Sequence, residues 1–205
     1  MRSVLVANPK GGCGKTTLAT NVAGYFANEG KSVTLCDLDR QQSALRWLAF
    51  REAGVPAVTG YFGGNQLLYS PPKDADWVVL DAPAGLQGFK LSEYLHKADK
   101  ILVPVVPSVF DMAATEDFLH SLRRESPSAR ERVGIVAMRV APRTRAAAML
   151  EEFLAHFDIP IVTYLRTTQS YVNVAVSGLS LFDPPRGKNK KDIEQWAPLL
   201  QWLNE

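Results

Sequence analysis

Two lysines, Lys10 and Lys15, enclose three glycines in the stretch KGGCGKTT, and two threonines, Thr16 and Thr17, follow directly. Glycine lets a backbone bend so that successive N–H groups point into one concavity. Where such a turn opens a helix, the helix N-terminus adds partial positive charge, and the two together hold phosphate. Gly11, Gly12 and Gly14, with Cys13 among them, would form that cradle. Lys15 would reach the β- and γ-phosphates of a nucleotide, and the Thr16 hydroxyl would ligate Mg²⁺. Oxygen ligands recur downstream: CDLDRQQSA carries Asp37 and Asp39, and the apolar run in WVVLDAPAG ends at Asp81. An aspartate at the carboxyl end of a central strand, beside a phosphate loop, is placed to hold Mg²⁺ through a coordinated water. Of the pair at 37 and 39, one carboxylate can serve the metal while its neighbour reaches an attacking water. No residue is set out as a phosphate acceptor, so these groups describe phosphoryl transfer to water.

Such groups must be gathered at one edge of a scaffold, and the chain reads as one that does so. Short apolar runs alternate with helical patterns, the signature of a parallel α/β sheet. Strands are expected at Ser3–Ala7, Ser32–Cys36, Trp77–Leu80, Ile101–Val105, Val133–Ala137 and Ile159–Val162, with helices over Thr16–Glu29, Ala113–Arg124 and Thr144–Phe157. Gly30 is a helix stop, and Pro71-Pro72 and Pro184-Pro185 mark loops. The expected fold class is α/β, a mostly parallel central sheet with helices on both faces, formed by residues 1–205 as a single domain. With 205 residues and 46% apolar side chains, the chain can bury one sizeable core. Two cysteines, Cys13 and Cys36, make neither a disulfide framework nor a four-ligand zinc site, which fits a reducing cytoplasm. No apolar stretch has the length of a membrane span, and the N-terminus lacks a signal-peptide pattern.

The loop departs from the pattern G-x-x-x-x-G-K-[ST] in one respect: Pro9 stands at the first glycine, and Lys10 follows it. KGGxGKTT closely resembles the deviant P-loop of the ParA/MinD family of dimeric ATPases. The resemblance implies a P-loop NTPase that binds ATP and Mg²⁺ and pairs as a sandwich of two ATP-bound subunits. Lys10 would contact phosphate in trans, Asp39 would orient or deprotonate the attacking water, and Asp37 would support Mg²⁺ and the switch, with Thr16 and Asp81 at the metal. Arg40 replaces the family's usual proline, which implies a more flexible switch or an added cation near the phosphates. DAPAG fits the family's D-x-P-A/G element. VPVVPSVFDMAA resembles its P-x-x-P-S-x-x-D segment, and TTQSYVNVAVSGLSLFD its C-terminal stretch, in which a short helix precedes G-x-S-x-F-D. The sequence begins at its first strand, as in the small ParA type without an N-terminal DNA-reading extension.

The ParA branch implies non-specific DNA binding by the ATP dimer, slow hydrolysis stimulated by a ParB-like or adaptor protein, and a cytoplasmic, nucleoid-associated protein that partitions plasmid, chromosome or another cargo. Between Arg139 and Lys191 eight Lys or Arg face four Asp or Glu, although the whole chain is only +2. Arg143, Arg145, Arg166, Arg186, Lys188, Lys190 and Lys191 are therefore the expected DNA contacts, doubled by dimerisation. A MinD-like membrane role would rest on the tail KNKKDIEQWAPLLQWLNE, where Trp196, Leu199, Leu200 and Leu203 share a helical face. Pro198 interrupts that segment and its second half has no basic residue, so a closing helix packed on the core is expected instead, with no membrane partner. A cluster-bridged iron protein would need cysteines free at an interface, and Cys13 and Cys36 are not so placed. A metabolic ligase of the same superfamily would need a second substrate pocket that no residues mark.

Overall fold

The computed structural model describes residues 1–64, 74–185 and 189–205. One seven-stranded sheet runs through them: β1 (Arg2–Val6), β2 (Val33–Asp37), β3 (Thr59–Phe62), β4 (Trp77–Asp81), β5 (Lys100–Val105), β6 (Val133–Met138) and β7 (Ile161–Leu165). Their order is β3-β2-β4-β1-β5-β6-β7, and every pairing is parallel. Parallel neighbours need a crossover, and helices supply it: α1 (Lys15–Asn28), α2 (Ser43–Ala49), α3 (Gly88–Lys97), α4 (Val109–Glu125) and α5 (Arg145–Leu154). Among the described residues three further helices follow β7, namely α6 (Ser170–Ala175), α7 (Lys190–Glu194) and α8 (Ala197–Asn204).

Side chains alternate across a strand, so each strand feeds two cores. In β1, Val4 and Val6 join α1, α2 and α8 on one face, while Leu5 and the following Ala7 join α3, α4 and α5 on the other. Central strands covered on both sides must be apolar throughout, and β4 and β6 are buried at every position. The carboxyl ends of all seven strands then share one edge, which is where the loops after β1, β2, β4 and β6 meet.

Most expected elements are present with ends shifted by a residue or two. The helix expected from Ala113 begins earlier, at Val109, because the Ser108 hydroxyl accepts from the Asp111 N–H and caps it. The third helix stops at Leu154. The tail forms two helices rather than one, with Pro198 in the first turn of α8, where its missing N–H is harmless. Trp196, Leu199, Leu200 and Leu203 are all buried in the core. Arg2 locks this end by donating to the Leu203 and Asn204 carbonyls, which a helix C-terminus otherwise leaves open. The Pro71-Pro72 loop lies outside the described residues.

A second fixture ties α2 to the C-terminal region. The Arg51 guanidinium grips Asp183 with two 2.9 Å bonds, and both side chains are almost wholly buried. Burial opposes the Asp183 charge, yet Arg51, the Ser180 N–H and hydroxyl, and Asn28 outweigh it and hold the carboxyl below its usual range. Trp47 adds a bond to the Leu179 carbonyl, and Gly178 leaves no room for a Cβ against the Arg51 backbone. Removing either charge would strand the other in the interior, at about 3–5 kcal/mol.

Candidate nucleotide site

The glycine loop between β1 and α1 is braced at its entry. The buried Asn8 amide donates to the Pro104 carbonyl and the Thr115 hydroxyl, its oxygen accepts from the Lys10 N–H, and the Gly85 N–H donates to the Pro9 carbonyl. Gly12 and Gly14 have φ of 75° and 102°, the left-handed region that glycine enters without strain. Gly14 is held twice over, since a Cβ there would lie 2.6 Å from Met138 Cε. Helix α1 begins immediately with no side-chain cap and no acid in its first turn, so its leading N–H groups and positive end are left for an anion.

Lys15 is buried, and its Nζ donates to the Lys10 carbonyl at 2.8 Å, crossing the loop from beneath. Cys13 Sγ reaches the same carbonyl at 3.2 Å; burial pushes its thiol up. A cleft of about 450 Å³ opens above, walled by Gly11, Gly12, Gly14, Lys15, Thr16, Thr17 and Asp39 among others. Lys10 is not in that wall, and among the described residues no carboxylate pairs with its ammonium. A larger groove of about 570 Å³ between α4 and α5, lined by Met112, His120 and Phe157 among others, lacks the glycine backbone that a phosphate cradle requires.

The two acids after β2 have different settings. Asp39 is half-buried at the cleft, where one oxygen accepts from the Gln41 N–H. Asp37 is fully buried: Oδ1 accepts from the Asp39 N–H and Oδ2 from Ala44 and Leu45 at the start of α2. Burial raises its carboxyl despite those bonds. These three bonds make Asp37 the anchor of the 39–45 segment. Arg40 is exposed beside this turn.

Thr16 and Asp81 meet directly, Oγ1 donating to Oδ2 at 2.7 Å. Asp81 Oδ1 is buried with no hydrogen-bond partner among the described residues. An orphaned carboxylate oxygen beside a threonine hydroxyl, under a phosphate loop, is the donor set a hard divalent cation takes, and Mg²⁺ fits it. Burial pushes the Asp81 carboxyl up to about 7; Thr16 and Lys15 pull it down, and Asp37 and Asp39 add to the rise. In the unfolded chain an aspartate titrates near 4. Between about pH 4 and 7 the folded protein keeps a proton that the unfolded chain has lost, so stability falls as pH rises through that window, by at most about 4 kcal/mol. Without metal, the thermal midpoint is expected to drop from about pH 5 to pH 8, and Asp81→Asn to flatten the profile. An equal slope in that variant would assign the titration to another group.

The cleft also contains residues that the motifs did not single out. Gln41 and Ser43 line it from the β2–α2 turn, and Arg139 lines it from the end of β6. The available signal for Arg139 was a basic residue directly after an apolar strand, in VGIVAMR. Of the expected DNA contacts, Arg143 and Arg145 are exposed after β6, and Lys190 and Lys191 are exposed on α7. Arg166 follows β7, and its Nε is bound to the buried Asp192 carboxylate at 2.7 Å, which also accepts from Thr168 and Ser170. Arg186 and Lys188 lie outside the described residues.

Parallel sheet, glycine loop at the β1 edge and a metal-fit Thr16–Asp81 pair define a P-loop nucleotide-binding protein of the α/β class. Residues 4–181 match the CobQ/CobB/MinD/ParA nucleotide binding domain, and the chain belongs to that family. It is 30% identical to the maintenance of carboxysome distribution protein A of Halothiobacillus neapolitanus, over 99% of this chain and 95% of that one. It is 31% identical to the chromosome-partitioning ATPase Soj of Thermus thermophilus, over 77% of each. A plasmid partition protein of Borrelia burgdorferi, solved with AMPPNP, superposes with a TM-score of 0.73 over 98% of this chain and 97% of its own, at 15% identity.

Proposed function

We propose that the chain is an Mg-ATP-dependent switch that dimerises with ATP, binds DNA without sequence preference as the dimer, and positions an intracellular cargo as hydrolysis releases it. The observation that carries the reading is the Thr16–Asp81 pair with its orphaned oxygen, set under a glycine loop that bears one buried lysine and one outside the cleft wall. Bound Mg²⁺ would supply charge neutralisation at the β- and γ-phosphates, held by Thr16 and Asp81. Lys15 and the loop amides orient the phosphates, and Asp39 holds the attacking water. Lys10 supplies a cation to the partner subunit's nucleotide. The γ-phosphate thus biases a monomer–dimer equilibrium, and its loss reverses the bias.

The relatives named for carboxysome distribution and chromosome partitioning support a positioning role. DNA binding is supported by exposed Arg143, Arg145, Lys190 and Lys191 along the carboxyl edge at β6 and β7. A ParB-like or adaptor protein would accelerate turnover, and the protein would sit in the cytoplasm on the nucleoid. The α8 leucines are buried in the core, so that helix does not present them to a membrane. The test is DNA binding with ATP or ADP at two salt concentrations. ATP should be required, and raising salt from about 50 to about 200 mM should weaken binding at least ten-fold. Arg143→Glu with Arg145→Glu should weaken it further. Nucleotide-independent binding, or hydrolysis that needs a small acceptor, would count against the reading.

A further inference from the structure

We propose that Arg139 is a nucleotide-binding cation, acting in cis on the α-phosphate. The inference rests on reading the cleft as an ATP site. Arg139 directly follows β6 with φ of 60°, a left-handed conformation that is unfavourable for a residue with a side chain. Its side chain is exposed, so packing does not demand that backbone. What the conformation achieves is aim: Nη2 donates to the Gly12 carbonyl at 3.1 Å, and the side chain walls the cleft. Met138, beside it, rests on Gly14, so strand end and phosphate loop meet without a gap. A neutral carbonyl is a modest partner for a guanidinium, whereas a phosphate oxygen forms a shorter, charge-assisted bond.

Sheet order assigns the end of the nucleotide. Asp39 and Asp81 lie at β2 and β4, on one side of β1; Arg139 follows β6, on the other side, with β5 between. The metal and the γ-phosphate belong beside the acids. The phosphate chain therefore leaves the loop toward β5 and β6, which brings the α-phosphate under Arg139.

The experiment is calorimetric titration of ATP and of ADP into the full chain at two salt concentrations, with steady-state ATP hydrolysis alongside. Arg139→Gln should weaken both nucleotides by the same factor, about ten-fold, and make affinity less salt-dependent. KM for ATP should rise by that factor while kcat falls less than about two-fold. Arg139→Lys should recover most of the affinity. Glutamine and lysine both offer an N–H to the Gly12 carbonyl, so a merely structural brace predicts parental affinity in both variants, whereas a phosphate-binding cation predicts loss with Gln and recovery only with Lys. Parental affinity in Arg139→Gln, or a loss confined to ATP, overturns the assignment. A parent chain that binds neither nucleotide would instead overturn the functional reading beneath it.

Discussion

Asp39→Ala is expected to bind ATP about as well as the parent and to hydrolyse it about 10²–10⁴-fold more slowly. The substitution leaves the phosphate contacts intact, because the loop amides, Lys15 and Thr16 lie between β1 and α1 or on α1, and Lys15 and Thr16 donate to the Lys10 carbonyl and to Asp81 rather than to the Asp39 carboxylate. Among the described residues that carboxylate bonds within its own turn, to the Gln41 N–H, so truncation removes a group from the cleft without loosening the loop. ATP-dependent dimerisation should persist and outlast that of the parent, since the γ-phosphate is no longer cleared. Light scattering with ATP, beside a phosphate-release assay, reads both quantities. Parental turnover would remove Asp39 from the reaction; loss of ATP binding would make it a structural residue of the switch.

Lys10→Ala is expected to remain a monomer that still holds ATP. The backbone of Lys10 does the local work: its N–H bonds Asn8, and its carbonyl receives Lys15 Nζ and Cys13 Sγ. All of these survive in alanine. The ammonium lies outside the wall of its own cleft, so its removal should be felt across the two-fold interface. With a non-hydrolysable ATP analogue the parent should scatter as a dimer and the variant as a monomer. DNA affinity should fall with it, because halving the cations engaged reduces phosphate neutralisation steeply. A variant that dimerises and binds DNA like the parent leaves Lys10 a loop lysine. One that dimerises yet loses DNA moves Lys10 to the DNA surface.

The chemistry was readable where residue type and spacing are themselves the mechanism. Glycines at 12 and 14 are needed for a backbone no other residue adopts easily, and Lys15, Thr16 and Asp81 are tied to strand ends that apolar runs reveal. Strand β3, TGYF, was not readable: it is a short edge strand with an interior glycine, paired on one side only. Helices α2 and α3 were missed because they are short, and neither has a side-chain cap to mark its start. The tertiary partners of Arg166 and Asp37 were not legible either. Nothing local announces that Asp192, 26 residues on, will claim an arginine, or that the N–H groups of residues 44 and 45 will claim an aspartate. Arg139 reaches the cleft by a long-range crossing, 127 residues from Gly12.

The Arg51–Asp183 clamp gives the segment after β2 the mechanics of a lever with a welded base. Asp37 holds the N–H groups of Asp39, Ala44 and Leu45 and the clamp pins the far end of α2, so residues 40–43 are left as the working length. Gln42 already bends there, at φ 53°. A stroke confined to four residues is short, and a short stroke returns quickly. The clock that governs how long two subunits stay together would then be set by chemistry at the phosphate, with the recoil of the protein following promptly behind it.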